Sequence, residues 1–294
     1  MSDTENLLFE IGVEELPASY VERALIVLPD LFEERLRQAR LSHTGIRALG
    51  TPRRLAVQVY DLALRQPDLS ERVQGPPVQV ALDKEGKPTK AALAFARKIG
   101  CEVDDLERVD SGKGVYLMGT RQEEGKPTIE LLPRILEEIC AAIPFRKSMR
   151  WANGDIAFGR PVRWILALLG GQVVDMSFAG VRSGRETMGH RFLAPEPIDL
   201  PDPQDYVELL RDAHVIVDPF ERRDVMMSQL REACEEAGTV LVEDEFLERE
   251  NVNLVEEPQV ITGSFDEAFL ALPEDVILAV AKGHQRYFCA RRED

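Results

Sequence analysis

Two hydrophobic periods run through the chain. Short dense apolar runs read as strands, and longer stretches with an apolar residue every third or fourth position read as helices. Leu7-Leu8-Phe9-Glu10-Ile11-Gly12-Val13 predicts a central strand, ended by Glu14-Glu15-Leu16-Pro17. From Tyr20 to Leu41, Val21, Leu25, Leu28, Phe32, Leu36 and Ala39 keep helical spacing, with Arg and Glu opposite. Pro29 lies inside that helix and should kink or split it, because proline removes a backbone donor and crowds the preceding turn. Leu55, Val57 and Val59 alternate with Ala56, Gln58 and Tyr60, a half-buried strand behind a turn at Thr51-Pro52. Residues 7–64 therefore read strand, helix, strand, strand.

Gly-Lys-Pro-Thr occurs twice, at Gly86–Thr89 and Gly125–Thr128, each followed by an apolar helical pattern, so each reads as a turn with a threonine N-cap. Between them, Glu102–Val109 and Val115–Arg121 flank Ser111-Gly112-Lys113-Gly114, a hairpin signal. Arg163–Leu169 and Val173–Phe178 bracket Gly170-Gly171 and read as a strand pair. Asp218-Pro219-Phe220-Glu221 carries a capping residue, a proline at the first helical position and a glutamate three residues after the cap, and Gly238 stops the helix that follows. Glu243–Glu250 reads as an acidic, solvated helix face, Val260–Gly263 as a strand and Pro273–Lys282 as a helix before a last short strand. No repeating βαβ rhythm appears. The fold class expected is α+β: mixed, largely antiparallel sheets with packed helices, in two lobes. The boundary is placed near Pro144, with residues 1–144 an N-terminal α+β lobe and 145–294 a basic strand-rich segment followed by an acidic helix-rich lobe; the first lobe could equally extend through Phe178.

Composition narrows the function. Of 294 residues, 44% are apolar and 30% charged, enough to bury a sizeable core and too apolar for a disordered chain. Four scattered cysteines, Cys101, Cys140, Cys234 and Cys289, lack metal or redox spacing and read as reduced thiols. The acidic start and the absence of a membrane-length apolar run argue against secretion and insertion, so a cytoplasmic location is expected. The net charge of −16 opposes a protein that coats nucleic acid, yet residues 145–191 carry eight Lys/Arg against Asp155, Asp175 and Glu186, a basic island in an acidic chain. No phosphate loop, dinucleotide glycine motif, zinc-protease motif or serine-hydrolase elbow occurs, and the four histidines are dispersed. A hydrolase assembled from His190 and a remote carboxylate is still open, since sequence order does not fix such triads.

What remains is a set of arginine-rich turns. Thr51-Pro52-Arg53-Arg54 places two guanidinium groups where a strand begins. Lys147-Ser148-Met149-Arg150-Trp151, Phe158-Gly159-Arg160-Pro161-Val162-Arg163-Trp164 and Gly189-His190-Arg191-Phe192 place cations beside aromatics. Arginine offers a rigid fork for phosphate, and aromatics stack on unpaired bases, so the mixture suits structured RNA. The candidate contacts are Arg53, Arg54, Lys147, Arg150, Trp151, Arg160, Arg163, His190 and Arg191. The alternative is that Trp151 and Trp164 belong to the core and the arginines form internal ion pairs.

These turns, with Phe9–Pro17, Gly75-Pro76-Pro77, Val255-Glu256-Glu257-Pro258 and Lys282–Phe288, closely resemble the β subunit of bacterial heterotetrameric glycyl-tRNA synthetase in order and spacing. The resemblance covers essentially the whole chain and corresponds to the N-terminal part, less than half, of such a subunit. At His284 the family more often carries an acidic residue, so the resemblance assigns that position no role. It implies a tRNA-binding and assembly portion of a class II ligase with two α and two β subunits. The partners implied are the α subunit and tRNA(Gly). ATP and Mg would be used on the α subunit, and no catalytic residue, metal or cofactor is expected in this chain. A protein-binding scaffold without RNA contact and an editing-like hydrolytic module are the alternatives.

Overall fold

The computed structural model describes residues 3–112, 114–151 and 154–292. Strand β1 (Thr4–Val13) leads into helix α1 (Ala18–Gln38), then into the hairpin of β2 (Gly45–Thr51) and β3 (Arg54–Ala63), the order expected from the hydrophobic pattern. Helix α1 stays a single helix through Pro29, because Val21, Ala24, Leu28, Phe32 and Leu36 form one continuous buried stripe, and their burial outweighs the missing donor.

Strand β4 (Leu69–Pro77), the short α2 (Val78–Ala81), α3 (Lys90–Ile99), β5 (Glu107–Asp110) and β6 (Val115–Glu123) follow. They belong to a separate compact unit, Arg65–Thr128. Its sheet runs β4-β6-β5, all antiparallel, and Ala92, Phe95 and Ile99 of α3 join Ala81 and Leu117 in its small core. Thr89 caps α3, its hydroxyl accepting from the Ala91 N–H at 3.2 Å, as the Gly-Lys-Pro-Thr turn predicts. In the β5–β6 hairpin Ser111 N–H donates to the Gly114 carbonyl at 3.1 Å, while Lys113 lies outside the described residues. The first arm is shorter than expected, since Val103–Asp105 forms a 3-10 turn.

The other unit comprises 1–64 and 129–294. Helix α4 (Thr128–Ala142) begins on the threonine expected to cap it and is followed by β7 (Val162–Leu169), β8 (Gln172–Val173), β9 (Ser177–Phe178), β10 (Val181–Gly184), β11 (Glu186–Met188) and β12 (Pro197–Asp199). Then come α5 (Tyr206–Asp212), α6 (Pro219–Glu236), β13 (Val240–Val242), α7 (Glu245–Val252), α8 (Glu274–Val280) and β14 (Cys289–Arg291). The main sheet has the order β2-β3-β1-β7-β10-β9, with β8 also on β7, and only β10 runs parallel to its neighbour β7. The contacts therefore divide the chain elsewhere than at Pro144: β7 hydrogen-bonds directly to β1, so the segments on either side of that proline share one sheet. The Gly170-Gly171 hairpin is also shorter than expected, because Ser177–Phe178 pairs with β10. Val260–Gly263 forms no strand; its Val260 N–H is taken by the Gln229 side chain at 2.9 Å.

Both faces of the main sheet are covered, which explains why β1 reads as nearly unbroken apolar sequence. Leu7, Phe9 and Ile11 face α1 and α4, while Leu8 packs with Leu166, Leu168, Tyr206 and Leu210 on the α5 side. From Ile261 to Arg292, by contrast, no side chain is buried. Cys140 lies on α4 in the larger core, 1% exposed, and burial pushes its thiol far above the usual range. Cys101, Cys234 and Cys289 are half-buried. Thiol labelling followed by mass spectrometry should find Cys140 modified only at the rate of global unfolding and the other three faster. Labelling of Cys140 as fast as the rest would contradict this packing.

Candidate nucleic-acid interface

The alternation of β1 sends Glu10 and Gly12 to the α5 side of the sheet, under the arginine-rich turns. Gly12 is directly opposite Arg54 on β3 and Trp164 on β7, so three adjacent strands contribute one rung: Arg54, Gly12, Trp164. With no side chain between them, the indole lies across Gly12, and the guanidinium groups of Arg54 and Arg53 sit 5.5 and 5.8 Å from its ring centre. Trp164 donates its indole N–H to Glu10, which also accepts from the Thr187 hydroxyl at 2.8 Å.

Glu256 closes this network from a loop beyond α7. It accepts from the Thr51 hydroxyl at 2.7 Å and from Arg54 Nε at 3.1 Å, with Arg54 Nη2 at 3.0 Å and Arg53 Nη1 at 3.5 Å. Arg54 is fully buried and also donates to the Thr187 hydroxyl and the Met188 carbonyl. Burial opposes its charge, but Glu256 and then Glu10 outweigh burial and hold its pKa above the ordinary arginine value. Arg54 therefore cannot meet RNA: the residue expected as a contact is an internal ion-pair partner. Arg53 is nearly as enclosed, its side chain 14% exposed, and burial lowers its pKa. A second buried arginine, Arg222 on α6, donates to the carbonyls of Val252, Ile216 and Gly50, tying α6 to β2; burial lowers its pKa to about 10.

The remaining candidates lie further out. Arg163 and Arg191 pair with Glu14 at 3.4 and 2.9 Å, and Arg191 also meets Glu15 at 3.1 Å. Arg160 Nε donates to the Glu15 carbonyl at 3.2 Å, so these side chains form a connected row. Arg53, Arg163 and Arg191 line a cleft of about 290 Å³ beside Trp164 and Glu14. His190 is half-buried, with Nδ1 accepting from the N–H groups of Phe192 and Leu193, and among the described residues no carboxylate pairs with it. Trp151 is half-buried against the larger core, as the core alternative required.

Lys147 and Arg150 belong to a different environment. Their loop is held by a two-way backbone pair between Met149 and Phe158 and by the Tyr20 hydroxyl, which binds both the N–H and the carbonyl of Lys147. Arg146, Lys147 and Arg150 are exposed, and neither they nor Arg160 have an ion-pair partner among the described residues. The loop thus keeps four uncompensated positive charges in an acidic chain.

Four residues escaped the sequence reading. Glu10, a lone charge inside an apolar strand, was a legible signal, and Glu256 lay in a quoted motif without an assigned role. Thr187 and Arg222 carried no signal, since one looks like any strand threonine and the other like a solvated helix position. Among the described residues no cluster of His, Cys, Asp or Glu could hold a metal ion, and no helix is long and apolar enough to cross a membrane.

Comparison with known proteins places the chain in a family. The family described as glycyl-tRNA synthetase beta subunit matches residues 7–294. Similar curated proteins named glycine–tRNA ligase beta subunit include those of Myxococcus xanthus, 45% identical over 96% of this chain and 40% of the relative, and Anaeromyxobacter dehalogenans, 46% identical over 96% and 40%. That of Geobacter metallireducens is 42% identical over 97% of this chain and 41% of its own. The chain thus spans about 40% of the length of these relatives.

Proposed function

The chain belongs to the glycyl-tRNA synthetase beta subunit family, and on that premise we propose that it contributes tRNA binding and subunit assembly to a cytoplasmic ligase that attaches glycine to tRNA(Gly). ATP-dependent, class II adenylation would take place on an α subunit in a heterotetramer, and this portion would perform no chemistry of its own. One observation supports the RNA reading: Arg146, Lys147, Arg150 and Arg160 stand on a braced loop with no carboxylate partner among the described residues, in a chain of net charge −16. Cations left unpaired amid so many available carboxylates suit a polyanion partner. Arg163 and Arg191 extend the same row, with Glu14 and Glu15 as exchangeable counter-charges.

The salt dependence of tRNA binding tests this. In the full-length β subunit, Lys147→Ala/Arg150→Ala should weaken binding and reduce the slope of log K against log salt by about 0.7–0.9 per lost phosphate contact. An unchanged slope with an intact fold would remove the loop from the interface.

The assembly part of the proposal rests on another surface. Between Ile261 and Tyr287, Phe265, Phe269, Leu270, Leu272, Val276 and Val280 are all more than 40% exposed, a run of apolar side chains in water that suits a protein partner. An editing role draws no comparable support, since His190 Nδ1 is occupied in bracing its own turn.

A further inference from the structure

The turn from Gly189 to Pro195 holds two large apolar side chains in water, Phe192 at 81% exposure and Leu193 at 58%. It is not a loose turn. A Cβ on Gly189 would lie 2.5 Å from the Ala194 carbonyl oxygen and 2.9 Å from the Ala213 Cβ, so only glycine fits. The His190 N–H donates to the Ala213 carbonyl at 2.9 Å, and the His190 carbonyl accepts from the Ala194 N–H at 3.0 Å. His190 Nδ1 accepts from the Phe192 and Leu193 N–H groups, both at 3.3 Å. Arg191 is anchored on Glu14 and Glu15. The backbone, His190 and Arg191 are engaged inward, and the turn presents outward the Leu193 side chain and the Phe192 ring, which lies tilted 6.2 Å from the His190 ring.

Its surroundings select the occupant. Arg53 reaches the Gly189 carbonyl at 3.5 Å, Arg163 and Arg191 line the adjoining cleft, and Arg160 meets Arg191 at Glu15. A flat apolar ring next in sequence to Arg191, on a turn whose Gly189 and Pro195 line the cleft shared by Arg53, Arg163 and Arg191, matches an unpaired nucleotide, whose base stacks on the ring while its phosphates meet the cations. The face of Trp164 cannot serve this purpose, because Gly12 and the two arginines already pack against it. We propose that Phe192 stacks on an unpaired base of the bound tRNA, with Arg191 and Arg163 taking the flanking phosphates. This rests on the reading of the basic face as the tRNA surface and adds a base contact to its phosphate contacts.

The test compares Phe192→Ala, Phe192→Leu and Phe192→Trp in the full-length β subunit assembled with its α subunit, measuring tRNA(Gly) affinity across a salt series. Because Phe192 is exposed, all three variants should melt as the parent does. Phe192→Ala should weaken binding about tenfold or more, given the usual worth of base–aromatic stacking, with an unchanged salt slope because no phosphate contact is lost. Phe192→Trp should bind within about threefold of the parent, and Phe192→Leu should lose most of what alanine loses. Affinity of Phe192→Ala within about twofold of the parent, leucine performing as well as tryptophan, or loss of α-subunit association with unchanged tRNA affinity would each overturn the stacking. If the slope falls in Lys147→Ala/Arg150→Ala while Phe192→Ala binds normally, stacking alone fails. If that slope does not move, the face itself has been misread.

Discussion

Glu256→Ala should lower the folding free energy by about 3–5 kcal/mol, seen as an earlier urea midpoint with a nearly unchanged denaturant slope. The cost comes from what the substitution leaves behind. Arg54 is fully buried, and its closest anion is Glu256; without it the guanidinium keeps the Thr187 hydroxyl, the Met188 carbonyl and the more distant Glu10. The Thr51 hydroxyl loses its acceptor in the same step. Removing one partner of a buried pair strands the other charge, whereas removing both can be nearly neutral. The double variant Arg54→Met/Glu256→Leu should therefore recover much of the loss. If Glu256→Ala cost less than about 1 kcal/mol, the network would not be the buried unit described.

Gly12→Ala should be comparably severe, about 3 kcal/mol or more by the same measurement. A methyl group at this position would lie 1.9 Å from Trp164 Cδ2 and 2.0 Å from Cε2, inside the indole ring. The ring has little room to retreat, because its N–H is held by Glu10 and both arginines lie over it. Removing the obstacle should help: in Gly12→Ala/Trp164→Ala the two costs should fall well short of their sum, since both act on one contact. Strict additivity would show that the glycine is not there for the indole.

The α+β class, the order strand, helix, strand, strand over residues 7–64 and the caps at Thr89 and Asp218 were all legible, because each depends on periodicity or on a side chain reaching a nearby amide. Features set by distant contacts were not. The pairing of β7 with β1 joins residues that lie 149 to 162 positions apart, and nothing local announces that a basic segment will complete a sheet begun at the N-terminus. The same distance divided the arginines. Arg53 and Arg54 read alike beside Lys147 and Arg150, yet Glu256, two hundred residues downstream, draws Arg54 into the interior. Val260–Gly263 failed as a strand because among the described residues no partner strand reaches it and a glutamine side chain takes its amide. Pro29 did not break its helix because the stripe beneath it is fully packed.

The central claim is that the arginine motifs serve two purposes, with the buried members holding the sheet together and the loop from Arg146 to Arg160 meeting RNA. Ultraviolet cross-linking of tRNA(Gly) to the assembled enzyme, with the modified peptides identified by mass spectrometry, separates the two directly. The account predicts adducts on peptides from the loop 146–160 and from the turn 189–195, and none on the β3 peptide carrying Arg54. Adducts confined to other parts of the enzyme, with the loop unmodified, would contradict it.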